Sequence, residues 1–343
     1  MSWLTRAFGG DARAPRDVDA ALRLALMAVL DRDFDCAEKL LIRAARLDSA
    51  DVEPFLALAR LFRMRGEIGR AIRIHQNLLL RLNASTSQGI AVLADLAADF
   101  RQGGFLRRAI ASYQEVLAHD SHHTGALRAL PRLLAEARDY PKAIEVARRL
   151  AKIEGRKGTV DEAALRVEMA EVAQAEGRSD DARRAVKQAL RRDKGSVRGW
   201  LLLGSLEAER GKPKAALAAW KRVPELNLAS GPDVYPRLEA TYAALDRSRD
   251  YEVFLRGLLE AHDEDIGVRL ALARTLAARG EVDDAVAELR RVLDRDPEHL
   301  EARGTLGRVL LAERRDVDAI KAYAELLDVL ERQGLFGARE RFE

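Results

Sequence analysis

The amino-acid sequence predicts an all-α fold, a solenoid built from about nine helical hairpins. A glycine or arginine followed five residues later by an alanine recurs along the chain, most often at intervals of 34 residues. No stretch alternates apolar and polar residues for long enough to require a strand. The composition, with 48% hydrophobic but only 5% aromatic residues, is typical of helices rich in Ala, Leu, Arg and Glu.

The hairpin from Asp51 to Asn83 shows the pattern in full. Phe55, Leu58 and Phe62 follow the three- and four-residue steps of one helical face. Gly66 then predicts the end of the first helix, because glycine adopts the left-handed conformation at little steric cost. The second helix is expected to present a further face made of Ala71, His75, Leu78 and Leu79.

Eight copies of this hairpin align on one alanine of the second helix. These anchor alanines are Ala37, Ala71, Ala109, Ala143, Ala182, Ala216, Ala285 and Ala319, separated by 34, 38, 34, 39, 34, 69 and 34 residues. The 69-residue interval leaves room for a divergent copy from Tyr235 to Asp263. Twelve residues before the anchor, seven of the eight copies carry a small residue. This large-small order with a 34-residue period is the tetratricopeptide signature, so the sequence predicts a tetratricopeptide repeat superhelix, an α-solenoid of about nine hairpins.

The segments outside the repeats complete the predicted organisation. Residues 1–16 contain two glycines and a proline without a long apolar run, which predicts a flexible N-terminal tail; the alternative is a docking segment that uses Trp3, Leu4 and Phe8. Residues 17–327 form the solenoid, with a flexible point near 228–236, and residues 328–343 form a C-terminal capping helix and tail. Because residues 1–16 match neither a signal peptide nor a spanning helix, we expect a cytoplasmic protein without a direct membrane span.

Charge and motifs exclude several function classes. The 58 basic and 55 acidic residues are interspersed, which indicates a solvated helical surface rather than a nucleic-acid interface. Cys36 is the single cysteine, so no disulfide framework or thiolate metal site is expected, and a packed position is favoured over a reactive one. No phosphate-binding loop or nucleophile elbow is present. We therefore expect neither an enzyme nor a cofactor or metal.

Several residues admit two interpretations. His119, His122 and His123 could hold a metal, but no cysteine or carboxylate spacing completes a ligand set, so solvated loop histidines are favoured. Trp200 and Trp220 occupy large apolar places of the repeat, which favours packing over surface exposure. Proline inside a helix removes a hydrogen bond, so a kink is expected at Pro131 and an early helix end at Pro224.

A row of arginines is the candidate partner-binding surface. In stacked hairpins the first helix of each repeat lines the concave side. Eleven residues before the anchor, four of eight copies carry arginine, where chance would give about 1.4. With neighbouring places included, the predicted groove residues are Arg60, Arg63, Arg101, Arg128, Arg132, Arg274 and Arg308. Such a row would bind the carboxylates of an acidic peptide or helix, because arginine contacts them in a planar, bidentate way; a merely solvated arginine-rich face is the alternative.

Three stretches resemble one bacterial family. Leu61 to Leu79 (LFRMRGEIGRAIRIHQNLL), Tyr140 to Ile153 (YPKAIEVARRLAKI) and Tyr251 to Leu259 (YEVFLRGLL) are similar to repeats of the lipopolysaccharide assembly protein B family. The irregular spacings fit as well, and the resemblance extends over most of Asp17 to about Leu293. Within the first stretch, the non-consensus residues Arg63, Arg65, Arg70, Arg73, His75 and Gln76 make it more specific than a general repeat.

The resemblance implies a non-enzymatic adaptor at the cytoplasmic side of the inner membrane. Members of the family couple a membrane protease to the lipid A deacetylase, and so regulate lipopolysaccharide synthesis. They also have an amino-terminal membrane helix and a rubredoxin-like metal domain with paired CxxC motifs, neither of which this sequence contains. We therefore expect either that partners supply these parts or that the role differs.

Two other function classes remain open. A general tetratricopeptide scaffold or co-chaperone in envelope or polysaccharide assembly would bind unrelated proteins, which capture from the native host would identify. An enzyme would need a poised nucleophile or acid–base pair, and turnover that depends on one carboxylate or histidine would reveal it.

Overall fold

The computed structural model describes residues 17–155 and 160–334. Within these ranges the chain forms eighteen α-helices, one 3-10 turn at Leu228–Ser230 and no strand, so the predicted all-α fold is confirmed. The first eight helices are α1 Val18–Leu30, α2 Phe34–Leu47, α3 Glu53–Met64, α4 Ile68–Arg81, α5 Ser87–Gln102, α6 Leu106–His119, α7 Thr124–Glu136 and α8 Tyr140–Ile153. The others are α9 Val160–Ala175, α10 Ser179–Arg192, α11 Val197–Glu209, α12 Pro213–Leu226, α13 Tyr235–Ala244, α14 Ser248–Ala261, α15 Ile266–Ala278, α16 Val282–Arg295, α17 Leu300–Ala312 and α18 Asp316–Arg332.

Consecutive helices pair as nine hairpins in this part of the chain, from α1/α2 to α17/α18. Residues 328–332 continue α18, whereas the predicted tails at 1–16 and 335–343 lie outside the described residues. No helix in the ranges that the structure covers is both long and apolar enough to cross a membrane.

A left-handed residue ends the first helix of every described hairpin. Glycine takes this conformation in five hairpins, at Gly66, Gly104, Gly177, Gly211 and Gly280. Arg32, Arg138 and Arg314 take it at φ values of 58–60°, in the places where the sequence predicts the same turn. In the divergent seventh hairpin Asp246 does so at 54°. At the second turn, the amide of Glu67 donates to the carbonyl of Phe62 at 2.8 Å, which satisfies an acceptor at the helix end.

The anchor alanines lie at the closest contacts between the two helices of a hairpin. All eight are at most 1% exposed to solvent. The small residue of the first helix is most tightly constrained where the second helix places an aromatic ring against it. A Cβ atom on Gly204 would lie 2.2 Å from the indole of Trp220, and one on Gly307 would lie 2.8 Å from the ring of Tyr323. The close approach of the first and second helices in these two hairpins therefore requires glycine.

The two tryptophans and the two helix prolines differ in how they meet the predictions. Trp220 is buried as expected, whereas Trp200 is partly buried and its Nε1 donates to the carbonyl of Lys194 at 2.8 Å. Helix α7 runs through Pro131 without a break. The early end expected at Pro224 is wrong, because α12 has the same 14 residues as the second helices before it. A proline removes one hydrogen bond from a helix, and the buried ring of Pro224 packs inside the protein.

The described chain divides into two compact units, residues 17–165 and 166–334, with 156–159 outside the description. In the first unit, hairpins one and two share a core that includes Leu41, Leu58 and Phe62. In the second unit a continuous core extends from the sixth hairpin to the ninth and includes Trp220, Leu238, Leu272, Leu289 and Leu306. Each unit is thus a stack in which neighbouring hairpins bury one another's apolar faces.

The divergent seventh hairpin replaces its anchor alanine with a tyrosine. Tyr251 stacks on Tyr242 with ring centroids 5.3 Å apart, and its hydroxyl donates to the carbonyl of Tyr235 at 3.2 Å. Burial raises the pKa of the Tyr251 phenol above its ordinary value. The segment 228–236, predicted as a flexible point, begins with the 3-10 turn and contains the buried Val234 and Tyr235.

Candidate partner-binding surface

The seven arginines of the predicted groove all lie on first helices of their hairpins. The first unit contains Arg60 and Arg63 on α3, Arg101 on α5, and Arg128 and Arg132 on α7; the second contains Arg274 on α15 and Arg308 on α17. Their guanidinium groups differ in whether they contact carboxylates of the same chain or face solvent.

Arg60 and Arg63 connect α3 to α5, the first helix of the next hairpin. Arg60 donates to Asp95 Oδ2 at 3.2 Å, and Arg63 donates to Asp95 Oδ1 at 3.2 Å and to its backbone carbonyl at 3.0 Å. The side chain of Arg60 is 60% exposed and that of Arg63 only 20%. Because a guanidinium group has five N–H donors, Arg60 still presents several to solvent, whereas Arg63 serves mainly as a bridge between hairpins.

Asp99 and His75 form a buried polar pair beside Arg63. Both side chains are 0% exposed, and His75 Nδ1 lies 2.6 Å from Asp99 Oδ2. The other carboxylate oxygen of Asp99 accepts from Arg63 Nε, so one aspartate of the third hairpin binds both helices of the second. His75 Nε2 is buried without a hydrogen-bond partner among the described residues. The sequence predicts His75 as a packing residue, and the structure adds its polar role.

The other arginines of the first unit are more open. Arg128 Nη2 donates to Glu154 Oε1 at 2.8 Å, with a side chain that is 66% exposed. Arg132 is exposed as well. Arg101 is exposed and makes no ion pair within the described ranges of the chain. Arg60, Arg101, Arg128 and Arg132 are therefore the arginines of this unit that an incoming carboxylate can reach.

In the second unit, Arg274 contacts carboxylates of two neighbouring first helices. Its Nη1 lies 2.9 Å from Glu301 Oε1 on α17, and its Nε lies 3.8 Å from Glu239 Oε2 on α13. Burial raises the pKa of Glu239, and the positive charge of Arg274 opposes this rise. Arg308 is exposed and donates to the Thr305 hydroxyl at 3.2 Å. Arg274 is thus a bridge like Arg63, and Arg308 is open to solvent.

Hairpins five and six place Glu171 and Ser205 at the same point of the repeat. Glu171 accepts from Arg198 on α11, and Ser205 Oγ accepts from Arg237 Nη1 on α13 at 3.2 Å. In four of the eight copies, with Arg60, Glu171, Ser205 or Arg274 at this place, the side chain binds a polar partner on the following first helix. The row therefore has a structural role, and its predicted partner-binding role stays a prediction.

The carboxylates that contact the groove arginines are not predicted by the arginine pattern alone. A usable signal exists in the sequence, because Asp95 and Asp99 are spaced by four residues one repeat after Arg60 and Arg63, which are spaced by three. Complementary charges at matching faces of consecutive repeats indicate contacts between hairpins.

The remaining candidate residues take local roles. His123 Nδ1 accepts the N–H of Ala126 at 3.1 Å and caps α7. His122 Nδ1 lies 3.0 Å from Ser121 Oγ. Cys36 is partly buried, and burial together with the charge of Asp33 raises the pKa of its thiol. No group of three His, Cys, Asp or Glu side chains could hold a metal ion in the described ranges.

Comparison with known proteins identifies one repeat family and several relatives that share one name. The sequence profile of the tetratricopeptide repeat matches residues 95–164, 167–226 and 270–333. Lipopolysaccharide assembly protein B of Escherichia coli K12 is 28% identical over 285 residues, which cover 83% of this chain and 72% of the relative. Its namesake in Haemophilus influenzae Rd is 29% identical over 273 residues, or 79% of this chain and 68% of the relative. A solved tetratricopeptide repeat protein of Parabacteroides merdae aligns with 86% of this chain and 100% of its own length, at 15% identity and a TM-score of 0.41.

Proposed function

Because this chain belongs to the tetratricopeptide repeat family, we propose that it is a non-enzymatic adaptor that binds other proteins through the first helices of its repeats. Within each unit, stacked helix pairs offer a row of side chains along which an extended or helical peptide can lie. The exposed guanidinium groups of Arg60, Arg128 and Arg308 support the proposal that the partner is acidic. Guanidinium groups favour carboxylates because they form charge-assisted bidentate contacts with them.

The finer proposal concerns the pathway. The chain regulates lipopolysaccharide assembly by coupling a membrane protease to a lipid A biosynthesis enzyme, the lipid A deacetylase. The observation that supports this role is the similarity to lipopolysaccharide assembly protein B, which extends over most of the chain. On this proposal the protein acts in the cytoplasm, next to the inner membrane, where its partners hold it.

On this proposal the predicted arginines have two different tasks. Arg60, Arg101, Arg128, Arg132 and Arg308 contact the partner, because their side chains are exposed. Arg63 and Arg274 support the surface, because their guanidinium groups already contact Asp95 and Asp99, or Glu301. Exchange of a contacting arginine should weaken binding, whereas exchange of a supporting one should also lower stability.

The test is capture of partners by the tagged full-length chain from its native host, with crosslinking mass spectrometry. We expect recovery of a membrane protease and the deacetylase, and a loss of about tenfold for Arg60→Glu combined with Arg132→Glu. The matched control is Arg46→Glu combined with Arg73→Glu, two exposed arginines on second helices of the same unit. Circular dichroism should show the same helical content for all three proteins.

The outcome separates the adaptor from a general scaffold or co-chaperone. Recovery of unrelated envelope or polysaccharide-assembly proteins, with neither the protease nor the deacetylase, would favour the general scaffold. Equal recovery by the wild-type chain and the Arg60→Glu, Arg132→Glu variant would show that the arginine row is only a solvated face.

A further inference from the structure

The third hairpin departs from the others at Phe105. This residue precedes the second helix, four residues before the anchor alanine or its tyrosine replacement. The other eight described hairpins carry a charged residue at this place, namely Asp33, Glu67, Asp139, Arg178, Lys212, Arg247, Glu281 and Arg315. Phe105 remains 47% exposed. An exposed ring where the repeat otherwise places a charge is not required for packing, and it indicates a contact with something outside the chain.

The charges around Phe105 are also unbalanced. Residues 100–114 contain three arginines and no acidic residue. Arg107 and Arg108 are exposed and make no ion pair with other residues of the described ranges. By contrast Arg70, at the place of Arg108 in the second hairpin, contacts both Glu38 and Glu67 at 2.7 Å. The third turn thus presents positive charge that the fold itself does not neutralise.

Phe105, Leu106, Arg107 and Arg108 line an open surface pocket of about 430 Å³. We name these four residues the turn patch. The ring of Phe105 is fixed from behind, because it meets Phe100 edge-to-face with centroids 6.2 Å apart. The guanidinium carbon of Arg108 lies 5.8 Å from the centroid of the Phe105 ring. The patch is therefore a fixed, half-exposed aromatic ring with Arg108 over it and a second exposed arginine, Arg107, next to it in the chain.

Gly103 allows the ring to lie where it does. A Cβ atom at this residue would lie 2.9 Å from Cε2 of Phe105 and 3.2 Å from Cγ2 of Ile68. Since Gly103 has a φ of −79°, its backbone conformation is open to any residue, and the contact with the ring explains the glycine better. A methyl group here would displace the ring and alter the pocket without blocking the turn.

We propose that the turn patch binds a peptide segment in which one aromatic or branched apolar side chain is flanked by carboxylates. The apolar side chain would enter the pocket against Phe105, and the carboxylates would bind Arg107 and Arg108. The Phe105 ring is about half-buried and lies against Phe100, so it offers a face to an incoming side chain rather than a wedge that projects into a membrane, and this favours a peptide. The proposal concerns a surface separate from the arginine row and does not depend on the partners assigned there.

The test uses the full chain and a fluorescein-labelled peptide, Glu-Asp-Phe-Glu-Asp, followed by fluorescence anisotropy. We expect saturable binding with a dissociation constant of about 100 μM and a weaker affinity in high salt. Phe105→Glu should lower the affinity at least about tenfold, as should Arg107→Ala combined with Arg108→Ala. Phe105→Glu keeps the fold testable, because Glu67 and Glu281 occupy the same place in other hairpins. Gly103→Ala should also weaken binding by moving the ring.

Matched controls make the result specific. Arg46→Ala combined with Arg73→Ala removes two exposed arginines elsewhere in the same unit and should leave the affinity unchanged. Peptides with serine for phenylalanine, or with glutamine and asparagine for the acids, should bind at least about tenfold more weakly. Absence of saturable binding up to about 1 mM would overturn the proposal, as would equal affinity of the Phe105→Glu variant. Binding of phosphatidylglycerol vesicles that is lost in these variants, without peptide binding, would assign the patch to a membrane and overturn it as well.

Discussion

At the scale of single residues, Asp99 links two hairpins through a carboxylate that water does not reach. A buried charge is stable only when its partners replace the lost hydration, and here Arg63 and His75 each contact one oxygen. Asp95 lies one helical turn earlier and binds the same arginine, but its side chain is 20% exposed. Two aspartates with one shared partner therefore differ in how much the fold depends on them.

We expect Asp99→Ala to lower the free energy of unfolding by about 3–5 kcal/mol, because Arg63 would keep a partly buried charge and His75 would lose its acceptor. Asp95→Ala should cost about 1 kcal/mol or less, since water can solvate the groups that it leaves. Urea unfolding followed by circular dichroism measures both. Similar losses for the two variants would contradict a special role of the buried carboxylate.

At the scale of the hairpin, the turn between the two helices is defined by one left-handed residue. Five described hairpins use glycine there, and Arg32, Arg138 and Arg314 show that the geometry persists when the residue has a side chain. An L-residue with a Cβ atom is strained in this region by about 1 kcal/mol. The surrounding helix packing therefore imposes the turn, and glycine only makes it easier.

Substitutions at two equivalent turns are expected to change the free energy of unfolding in opposite directions. Arg32→Gly should raise the free energy of unfolding by about 0.5–1 kcal/mol, because it relieves strain at a φ of 60°. Gly66→Ala should lower it by about 1 kcal/mol, because a side chain enters the left-handed region at 78°. Thermal unfolding of both variants beside the wild-type chain is the measurement. A change of the same sign in both would show that the turn conformation does not control these positions.

The hairpins could be predicted from the sequence because their signals are local. A glycine or arginine five residues before an alanine fixes the turn and the closest helix contact within one short segment, as at Gly66 and Ala71. The course of α12 at Pro224 did not follow from a local signal, because the proline ring is buried and its packing is not visible in the neighbouring sequence.

The site was predictable only in part, since its contacts join residues that are about one repeat apart. Helical spacing places Arg60 and Arg63 on first helices, but the angle between packed helices decides that both reach Asp95. The buried pair of His75 and Asp99 depends on the same packing. Phe105 departs from the pattern of the described hairpins, because the other eight carry a charged residue at its place.

At the scale of the whole molecule, each hairpin is stabilised mainly by its neighbours, so equivalent positions differ in what covers them. The residue after the anchor alanine is buried in several internal hairpins, as Leu217 and Val286 show at 4% exposure each. The same position of the ninth hairpin, Ile320 on α18, is 69% exposed, and Leu327 on the same helix is 50% exposed. The apolar face of α18 thus contributes less to folding than the equivalent faces before it.

The comparison of these two positions tests the nearest-neighbour account. We expect Val286→Ala to lower the free energy of unfolding by about 2 kcal/mol, since it leaves a cavity between hairpins. Ile320→Ala should change it by about 0.5 kcal/mol or less, although it removes more atoms, because the side chain is already in water. Chemical denaturation of both variants gives the difference. A larger loss for Ile320→Ala would mean that something covers this face in solution.

The ion pairs of Arg60 and Arg63 with Asp95 and Asp99 also determine how much of the chain must be moved to graft this surface onto another scaffold. A lone repeat moved to another scaffold would bring the cations and leave their counterions behind, so its side chains would adopt other rotamers. The smallest unit that keeps these ion pairs is therefore two adjacent repeats transferred together, with their mutual junction intact.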